Sequence, residues 1–241
     1  QNEIDELKKM AAFRREFIAD VSHELKTPIF SAQGFIHTLL DGAISNELVR
    51  ENFLKKAAKS LDRLDLIVQD LMTITQIEKG EINMNFESFN LVDLCMDAID
   101  QLEKNAYQKQ IKLKLLNSKD EPIYVIADYQ RIYQVIINLI TNSINHAGSG
   151  AHAIIKITPL GKKVIFELYN NGIGIPKNDL SRIFERFYRV DKSRSKGTGG
   201  SGLGLSIVKH IIERHKSKIN VESNSKKTKF WFDLDGSTVP K

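Results

Sequence analysis

The chain has 241 residues, long enough for two domains that each bury a core. Its 35 Lys and Arg against 30 Asp and Glu give a net charge of +5, which suits an anionic ligand but falls short of a nucleic-acid-binding signature. The single cysteine, Cys95, excludes an internal disulfide framework and a multi-cysteine metal site, in agreement with a reducing compartment. No apolar run reaches the roughly 18 residues that span a bilayer, and the start is not a signal peptide, so we expect no direct membrane contact.

Residues 1–40 carry a heptad pattern that predicts one long helix. Its a and d positions are Ile4, Leu7, Ala11, Ile18, Val21, Leu25, Ala32, Phe35 and Leu39. On this count His23 falls at f, the outermost position, with Glu24 beside it and Thr27 one turn on along the same ridge. Pro28 removes one backbone hydrogen bond and is expected to kink the helix just after His23. Taken by itself, this stretch fits either a solvated histidine with no function or an exposed histidine that accepts a chemical group.

A second helical pattern follows a turn signal at Asp41 and Gly42, with Asn46 as its expected N-cap. Its predicted seam is Leu54, Ala57, Leu61, Leu64, Val68, Leu71 and Thr75. Two long helices joined by a short loop form an antiparallel hairpin, with one apolar stripe per helix and too little core to be stable alone. We therefore predict that residues 1–80 form a homodimeric four-helix bundle. A monomeric hairpin packed on its own second domain is the alternative. The helical pattern is already under way at Gln1, which predicts further chain upstream.

From residue 81 to residue 241 the pattern changes to alternating helices and strands. Helices are predicted over residues 90–108, 129–146 and 202–215, and strands over residues 111–116, 123–126, 151–159, 164–169, 218–223 and 229–234. Hairpins join most of these strands, so an α/β sandwich with a mixed sheet and helices on one face is favoured over a doubly wound parallel sheet.

Three segments of this second domain fit together as a nucleotide site. Asn138 and Asn142 lie one turn apart on an otherwise apolar helix, and their neutral amides hold Mg²⁺ only where phosphate oxygens supply negative charge. Residues 170–176 follow a strand and form a turn whose backbone can approach a flat ring closely. The glycine-rich residues 197–205 run into a helix start, where free N–H groups can hold phosphate.

Between the last two segments lies a basic stretch suited to closing over a triphosphate: Arg182, Arg186, Arg189, Lys192, Arg194 and Lys196. A polar helix edge for the two asparagines and a solvated loop for the basic residues are the structural alternatives.

In order and spacing these motifs resemble those of the cytoplasmic part of a two-component sensor histidine kinase. The matched motifs are the phospho-acceptor H box at residues 17–28, the N box at 134–146, the first G box at 170–176, the F box at 183–189 and the second G box at 200–205. The resemblance implies an all-α helical hairpin, forming a four-helix bundle as a dimer, followed by an α/β sandwich of the histidine-kinase, chaperone and topoisomerase ATPase type.

The resemblance further implies a protein-histidine kinase that uses ATP and Mg²⁺. His23 would attack the γ-phosphate, Glu24 would orient and deprotonate the imidazole, and Thr27 would act in dephosphorylating the partner regulator. Asn142 would ligate Mg²⁺, with Asn138 close by. The other candidate nucleotide-binding residues are Asn145, His146, Asn170, Gly172, Gly174, Arg186, Arg189, Lys192, Gly200, Gly202, Leu203 and Gly204.

The resemblance also implies the partners and the location of the protein. The phosphoryl group would pass from His23 to an aspartate in the receiver domain of a response regulator, and no nucleic acid would take part. The chain would be the cytoplasmic portion of a membrane-anchored parent. A structural or surface role remains the alternative for His146 and is the expectation for His152, His210 and His215.

Two positions depart from the family pattern. The first G box usually opens with an aspartate that accepts the adenine amino group, and here the residue is Asn170. A neutral acceptor predicts ATP binding weaker by roughly tenfold or less. It also predicts poorer discrimination against guanine, because an amide can donate as well as accept. Asn145 stands where lysine is common, so one phosphate contact is expected to be missing.

Phe30 lies seven residues after His23, on the same outer stripe, and we interpret it as a docking contact for a response regulator. A single exposed apolar residue without a function is the alternative, because such residues are normal on protein surfaces. Two other functions stay open. One is a degenerate kinase that acts as a regulator-binding scaffold, an alternative that stays open because Asn170 replaces the usual aspartate. The other is a non-kinase ATPase of the same fold, against which an H box on a dimerising hairpin argues.

Overall fold

The fold is described from a computed structural model, which covers residues 2–78, 83–117, 121–148, 150–190 and 201–237. The chain divides into two compact units, Gln1–Thr73 and Ile74–Lys241. No helix among the described residues combines the length and the apolar character needed to cross a membrane.

The first unit is an antiparallel hairpin of two helices, α1 (Asn2–Leu40) and α2 (Glu47–Glu78), except that the end of α2 from Ile74 onward belongs to the second unit. The chain reverses at Gly42, whose φ of 115° is in the left-handed region, and passes through a short 3₁₀ turn. Asn46 then caps α2, because its side-chain oxygen accepts a hydrogen bond from the N–H of Val49 at 3.2 Å. The predicted turn and cap are confirmed. Pro28 is buried within the continuous α1.

The inward faces of the two helices hold the buried side chains of the hairpin. Ala32 and Leu39 of α1 and Ala57 and Ile67 of α2 are buried. The rings of Phe35 and Phe53 pack across the hairpin with 5.5 Å between their centroids. These contacts set the register in which α1 and α2 run past each other.

The prediction of one apolar stripe per helix is wrong, because each helix carries two. On α2 the predicted seam residues Leu54, Leu61 and Val68 are 53%, 52% and 40% exposed. Each directly follows an inward-facing or half-buried residue, so its side chain points about 100° away from the direction of that inward residue. On α1 the exposed Ile29, Ile36 and Leu40 follow inward residues in the same way.

The two exposed stripes lie on the same side of the hairpin. Because α1 and α2 are antiparallel, a step of one residue along each helix turns the side chains of both toward one common side. Ile18, at 56% exposed, extends the stripe of α1. We call this surface the second apolar face, and it comprises Ile18, Ile29, Ile36, Leu40, Leu54, Leu61 and Val68.

The second unit is an α/β domain. Its elements are β1 (Phe86–Asn90), α3 (Leu91–Gln108), β2 (Lys112–Asn117), β3 (Tyr124–Asp128), α4 (Tyr129–His146), β4 (His152–Leu160), β5 (Lys163–Asn170), α5 (Gly204–Arg214), β6 (Asn220–Asn224) and β7 (Lys227–Gly236). Within the described residues the strands form one sheet in the order β1-β3-β7-β5-β4-β2, with β6 also paired to β7. The β2–β4 pair is parallel and the other pairs are antiparallel, so the predicted mixed sheet is confirmed.

One face of the sheet is covered and the other is polar. Alternate residues of the central strands are buried, and Phe166 of β5 stacks on Phe232 of β7 with 4.8 Å between ring centroids. On the opposite face, Glu167 pairs with Lys229 at 2.6 Å, and the ammonium group of Lys229 lies 4.5 Å from the centre of the Trp231 ring. The helices α3 and α5 pack on either side of α4, which places α4 at the centre of the helical layer.

A buried histidine holds the start of α4. The Asp128 carboxylate caps the helix by accepting from the N–H of Arg131 at 3.0 Å, and the N–H of Asp128 donates to Nε2 of His215 at 3.0 Å. Nδ1 of His215 therefore carries the proton and donates to the carbonyl of Ile211 at 2.8 Å. Burial lowers the pKa of His215. The predicted structural role of this histidine is confirmed.

Candidate functional site

His23 presents its side chain to solvent from the middle of α1. The side chain is 82% exposed, as the heptad count predicted, and Nδ1 lies 4.0 Å from Oε1 of Glu24. The hydroxyl of Thr27 donates to the main-chain carbonyl of His23 at 3.2 Å, so the three residues occupy one short stretch of the helix surface. A separation of 4.0 Å is longer than a hydrogen bond, but a small rotation of either side chain would close it.

The Glu24 carboxylate also faces a cation from the other helix. Its second oxygen, Oε2, is 3.6 Å from a terminal nitrogen of Arg63 on α2, and the two side chains are only 18% and 23% exposed. Nε of Arg63 is buried and has no hydrogen-bond partner among the described residues. The carboxylate thus lies between the guanidinium group and the imidazole. Arg63 is a residue that the sequence analysis did not identify.

Asn138 and Asn142, both half-buried, lie on one face of α4, as their spacing predicted. The amide nitrogen of Asn138 donates to the main-chain carbonyl of Gly204 at 3.3 Å, which joins the N box to the start of α5. No group of three or more His, Cys, Asp and Glu side chains that could hold a metal is found in the described part of the chain. A Mg²⁺ ion on the Asn142 amide would therefore depend on negative charge from a ligand, and the donor set fits a magnesium–phosphate ligand in that way.

Cations meet at the C-terminal end of α4. Nζ of Lys109, which follows α3, donates to the side-chain oxygen of Asn145 at 2.5 Å. Asn145 occupies the position where the family pattern commonly has a lysine, and the structure places the ammonium group of Lys109 beside it.

The ring of His146 is partly buried, although the residue keeps an exposed surface. This burial lowers the pKa of His146, and the positive charges of Arg189 and Lys109 lower that pKa further.

Asn170 ends β5 and lies against α4. It is 7% exposed, its amide nitrogen donates to Oγ of Ser143 at 3.2 Å, and its side-chain oxygen accepts from the N–H of Gly172 at 3.3 Å. A Cβ on Gly172 would come within 2.9 Å of the carbonyl oxygen of His146, so glycine is needed for this close approach. Ser143 is fully buried and was not predicted as a site residue.

The F box and the second G box contact each other. The N–H of Phe187 donates to the carbonyl of Gly202 at 3.0 Å, and Gly202 has a φ of +77°. Leu203 is buried, and α5 begins at Gly204 without a side-chain cap. Arg186 and Arg189 are half-buried. Lys192 and Gly200 lie outside the described residues.

Three of the sequence motifs therefore meet on α4. Ser143 holds the first G box through Asn170, Asn138 contacts the second G box at Gly204, and Phe187 links the F box to the same segment. Between these contacts the side chain of Asn142 stays half-exposed. The arrangement brings amide side chains, backbone N–H groups and basic side chains of these motifs close to one another.

Known families match both parts of the chain. Residues 13–80 match the His Kinase A (phospho-acceptor) domain, and residues 127–238 match the Histidine kinase-, DNA gyrase B-, and HSP90-like ATPase family. The sensor histidine kinase WalK of Bacillus subtilis is 33% identical over 92% of this chain, and the match covers 36% of WalK. The chain thus spans about a third of the length of that relative.

Two solved structures extend the similarity. The catalytic domain of the histidine kinase ThkA is 32% identical, with a TM-score of 0.56, and the match covers 63% of this chain and 96% of that domain. ThkA in complex with the response regulator protein TrrA is 25% identical, with a TM-score of 0.73, and the match covers 95% of this chain and 64% of ThkA. The chain belongs to the sensor histidine kinases.

Proposed function

We propose that this chain transfers the γ-phosphoryl group of ATP to His23 and then to an aspartate of a response regulator. The observation that carries the proposal is the pairing of an exposed histidine with a neighbouring carboxylate inside the phospho-acceptor domain. The meeting of three nucleotide motifs on α4 of the ATPase domain supports it.

The roles at the acceptor follow from the side of the imidazole that Glu24 occupies. Glu24 lies near Nδ1, so Nε2 is the nitrogen with a lone pair free to attack. A bond forms between Nε2 and the γ-phosphorus, the bond to the bridging oxygen breaks, and ADP leaves with that electron pair. Glu24 takes the Nδ1 proton, and Arg63 restrains the carboxylate in position. Thr27, on the same surface, positions water when the regulator is dephosphorylated.

Different residues around α4 are assigned to different parts of the nucleotide. Asn170 and Gly172 hold the adenine, Asn138 and Asn142 hold Mg²⁺ and phosphate oxygens, and the N–H groups at the start of α5 face the phosphates. When bound, Mg²⁺ neutralises phosphate charge. The other residues that we assign to the nucleotide site are Lys109, Asn145, His146, Gly174, Arg186, Arg189, Lys192, Gly200, Gly202, Leu203 and Gly204. Lys109 supplies the cation that Asn145 lacks.

The proposed partners are a second copy of the chain and a receiver domain. The second apolar face of the hairpin is suited to a two-fold dimer, because both of its stripes lie on one side. The ThkA complex with TrrA supports a response regulator as the acceptor of the phosphoryl group. We also propose that the chain is the cytoplasmic portion of a membrane-anchored sensor, in keeping with its family.

Incubation with ATP labelled in the γ-phosphate, in the presence of Mg²⁺, tests the kinase function. The wild-type chain should acquire an acid-labile label, and His23→Gln should reduce that label to background because no nucleophile remains. His37→Gln, another exposed histidine position of α1, is the matched control and should label normally. Hydrolysis of ATP without labelling would support the ATPase alternative, and neither labelling nor hydrolysis would support the scaffold.

Phe30 provides a test of the regulator contact. Its side chain is 65% exposed on α1, on the same outer stripe as His23. Phe30→Ala should slow transfer from phosphorylated His23 to a regulator that accepts phosphate from the wild-type chain, by roughly tenfold if Phe30 is a central contact. Leu48→Ala, at an 81% exposed position near the start of α2 and outside the second apolar face, is the control. Unchanged transfer rate and regulator binding in Phe30→Ala would remove Phe30 from the docking surface.

A further inference from the structure

The amide of Asn170 is held in one orientation. Asn170 and Ser143 are both buried, the amide nitrogen donates to Ser143, and the side-chain oxygen accepts from the N–H of Gly172. A backbone N–H can only donate, so turning the amide over would set two donors against each other at Gly172. The serine hydroxyl accepts on the other side and anchors the plane of the group. The contact with Gly172 therefore fixes which end of the amide is oxygen.

Because the amide of Asn170 is fixed, the hydrogen bonds that it can still make to a ligand are defined. An asparagine side chain has two N–H donors and two acceptor positions on its oxygen, and one of each is used by Ser143 and Gly172. One N–H and one lone pair therefore remain for a ligand. A carboxylate at the same position would have acceptors only.

From these contacts we propose that Asn170 selects adenine through both of its remaining groups, with Ser143 as the positioning residue. The inference rests on the proposed function, in which Asn170 faces the base. Adenine presents a donor, its N6 amino group, beside an acceptor, N1. The free lone pair of Asn170 accepts from N6 and the free N–H donates to N1.

The fixed orientation also excludes the competing bases. Guanine and hypoxanthine present the reverse order, an O6 acceptor beside an N1–H donor, so they meet the amide with donor against donor and acceptor against acceptor. The sequence-based expectation of poorer discrimination rested on the ability of an amide to donate as well as accept, and a donor reaches O6 of guanine only if the amide turns over. The contacts with Ser143 and Gly172 remove that freedom, so this chain discriminates without the usual aspartate.

Nucleoside diphosphates test the proposal by direct binding, because they support no phosphoryl transfer. Calorimetry on the full chain would compare ADP, 1-deaza-ADP, which lacks the N1 acceptor, and IDP, which presents O6 and N1–H. The wild-type chain should bind 1-deaza-ADP roughly three- to tenfold more weakly than ADP. It should bind IDP about tenfold more weakly or worse.

Two variants test separately the N–H group of Asn170 and the serine, Ser143, that positions it. Asn170→Asp cannot donate to N1, so it should lose the preference for ADP over 1-deaza-ADP. Ser143→Ala removes the anchor of the amide plane while the Gly172 contact remains, and it should reduce the preference for ADP over IDP by roughly threefold or more. Ser217→Ala, which removes a serine bonded instead to Asp233, is the control and should preserve both preferences.

Each outcome bears on a different part of the proposal. Equal affinities of the wild-type chain for ADP and 1-deaza-ADP, or for ADP and IDP, would overturn the role of Asn170 while leaving nucleotide binding intact. Unchanged preferences in Ser143→Ala would overturn the role of the serine. A chain that is labelled by ATP on His23 but fails these comparisons would keep its proposed function and lose only this inference. Absence of ADP binding would overturn both.

Discussion

Leu61→Lys is expected to convert the proposed homodimer of this kinase core into monomers. Leu61 is 52% exposed and lies at the centre of the α2 stripe on the second apolar face, between Leu54 and Val68. In a two-fold dimer each copy of the substitution buries an unpaired ammonium group, and the two copies face the same interface. We expect the dissociation constant to rise on the order of a thousandfold. Sedimentation equilibrium would measure it.

Leu66→Lys is the matched control for this change. Leu66 is a leucine of the same helix at 62% exposed, but it follows Asp65 and lies on the opposite side of the hairpin from the stripe. It should leave the dissociation constant nearly unchanged. Equal weakening by both substitutions, or by neither, would show that the second apolar face is not the dimer interface.

Long, strongly periodic elements could be predicted from the sequence, whereas one short strand could not. The bounds predicted for α4, Tyr129–His146, match the structure, because its apolar periodicity is bounded by clear helix signals at Asp128 and Gly148. β1 was missed, because five residues with three polar side chains give too little alternation to recognise. The motifs of the nucleotide site were visible because glycine and asparagine are uncommon in apolar periodic segments.

Contacts between distant residues needed the folded chain. Arg63 meets Glu24 because the register that pairs Phe35 with Phe53 continues eleven residues back along α1 and ten residues on along α2. A heptad count of each helix separately cannot show which residues face each other across the hairpin. The same count merged two faces of α2 into one seam, because residues three or four positions apart, such as Leu54, Ala57 and Leu61, lie only about 40–60° apart round the helix.

Ser143 illustrates a signal that was present in the sequence. It is a polar residue on the buried face of α4, next to Leu139, Ile140 and Ile144. A buried hydroxyl requires a hydrogen-bond partner, so its position predicted a polar contact inside the domain. The identity of that partner, Asn170, depends on the pairing of β5 with α4 and could not be read from spacing.

Gly174→Ala is expected to destabilise the second unit and to weaken nucleotide binding together. Gly174 has a φ of +76°, and a Cβ there would lie 1.9 Å from the carbonyl oxygen of Asn224 at the end of β6. The next residue, Ile175, donates its N–H to Oγ of Ser223 at 2.8 Å, so the loop is held against the strand end and cannot move away freely. Left-handed backbone in alanine and the steric overlap together should lower the free energy of unfolding by roughly 2–5 kcal/mol.

Urea unfolding followed by the fluorescence of Trp231 measures this effect, because the single tryptophan lies in β7 of the same unit. Gly148→Ala is the control, since a Cβ at Gly148 has no neighbour within 4 Å and the backbone there is not in the left-handed region. It should change the unfolding free energy by less than about 0.5 kcal/mol. If Gly174→Ala were as stable as the control and bound ADP normally, the loop between β5 and the F box would not depend on its contact with β6. The first G box would then be a flexible turn, and the orientation of Asn170 and Gly172 toward the base would need another anchor.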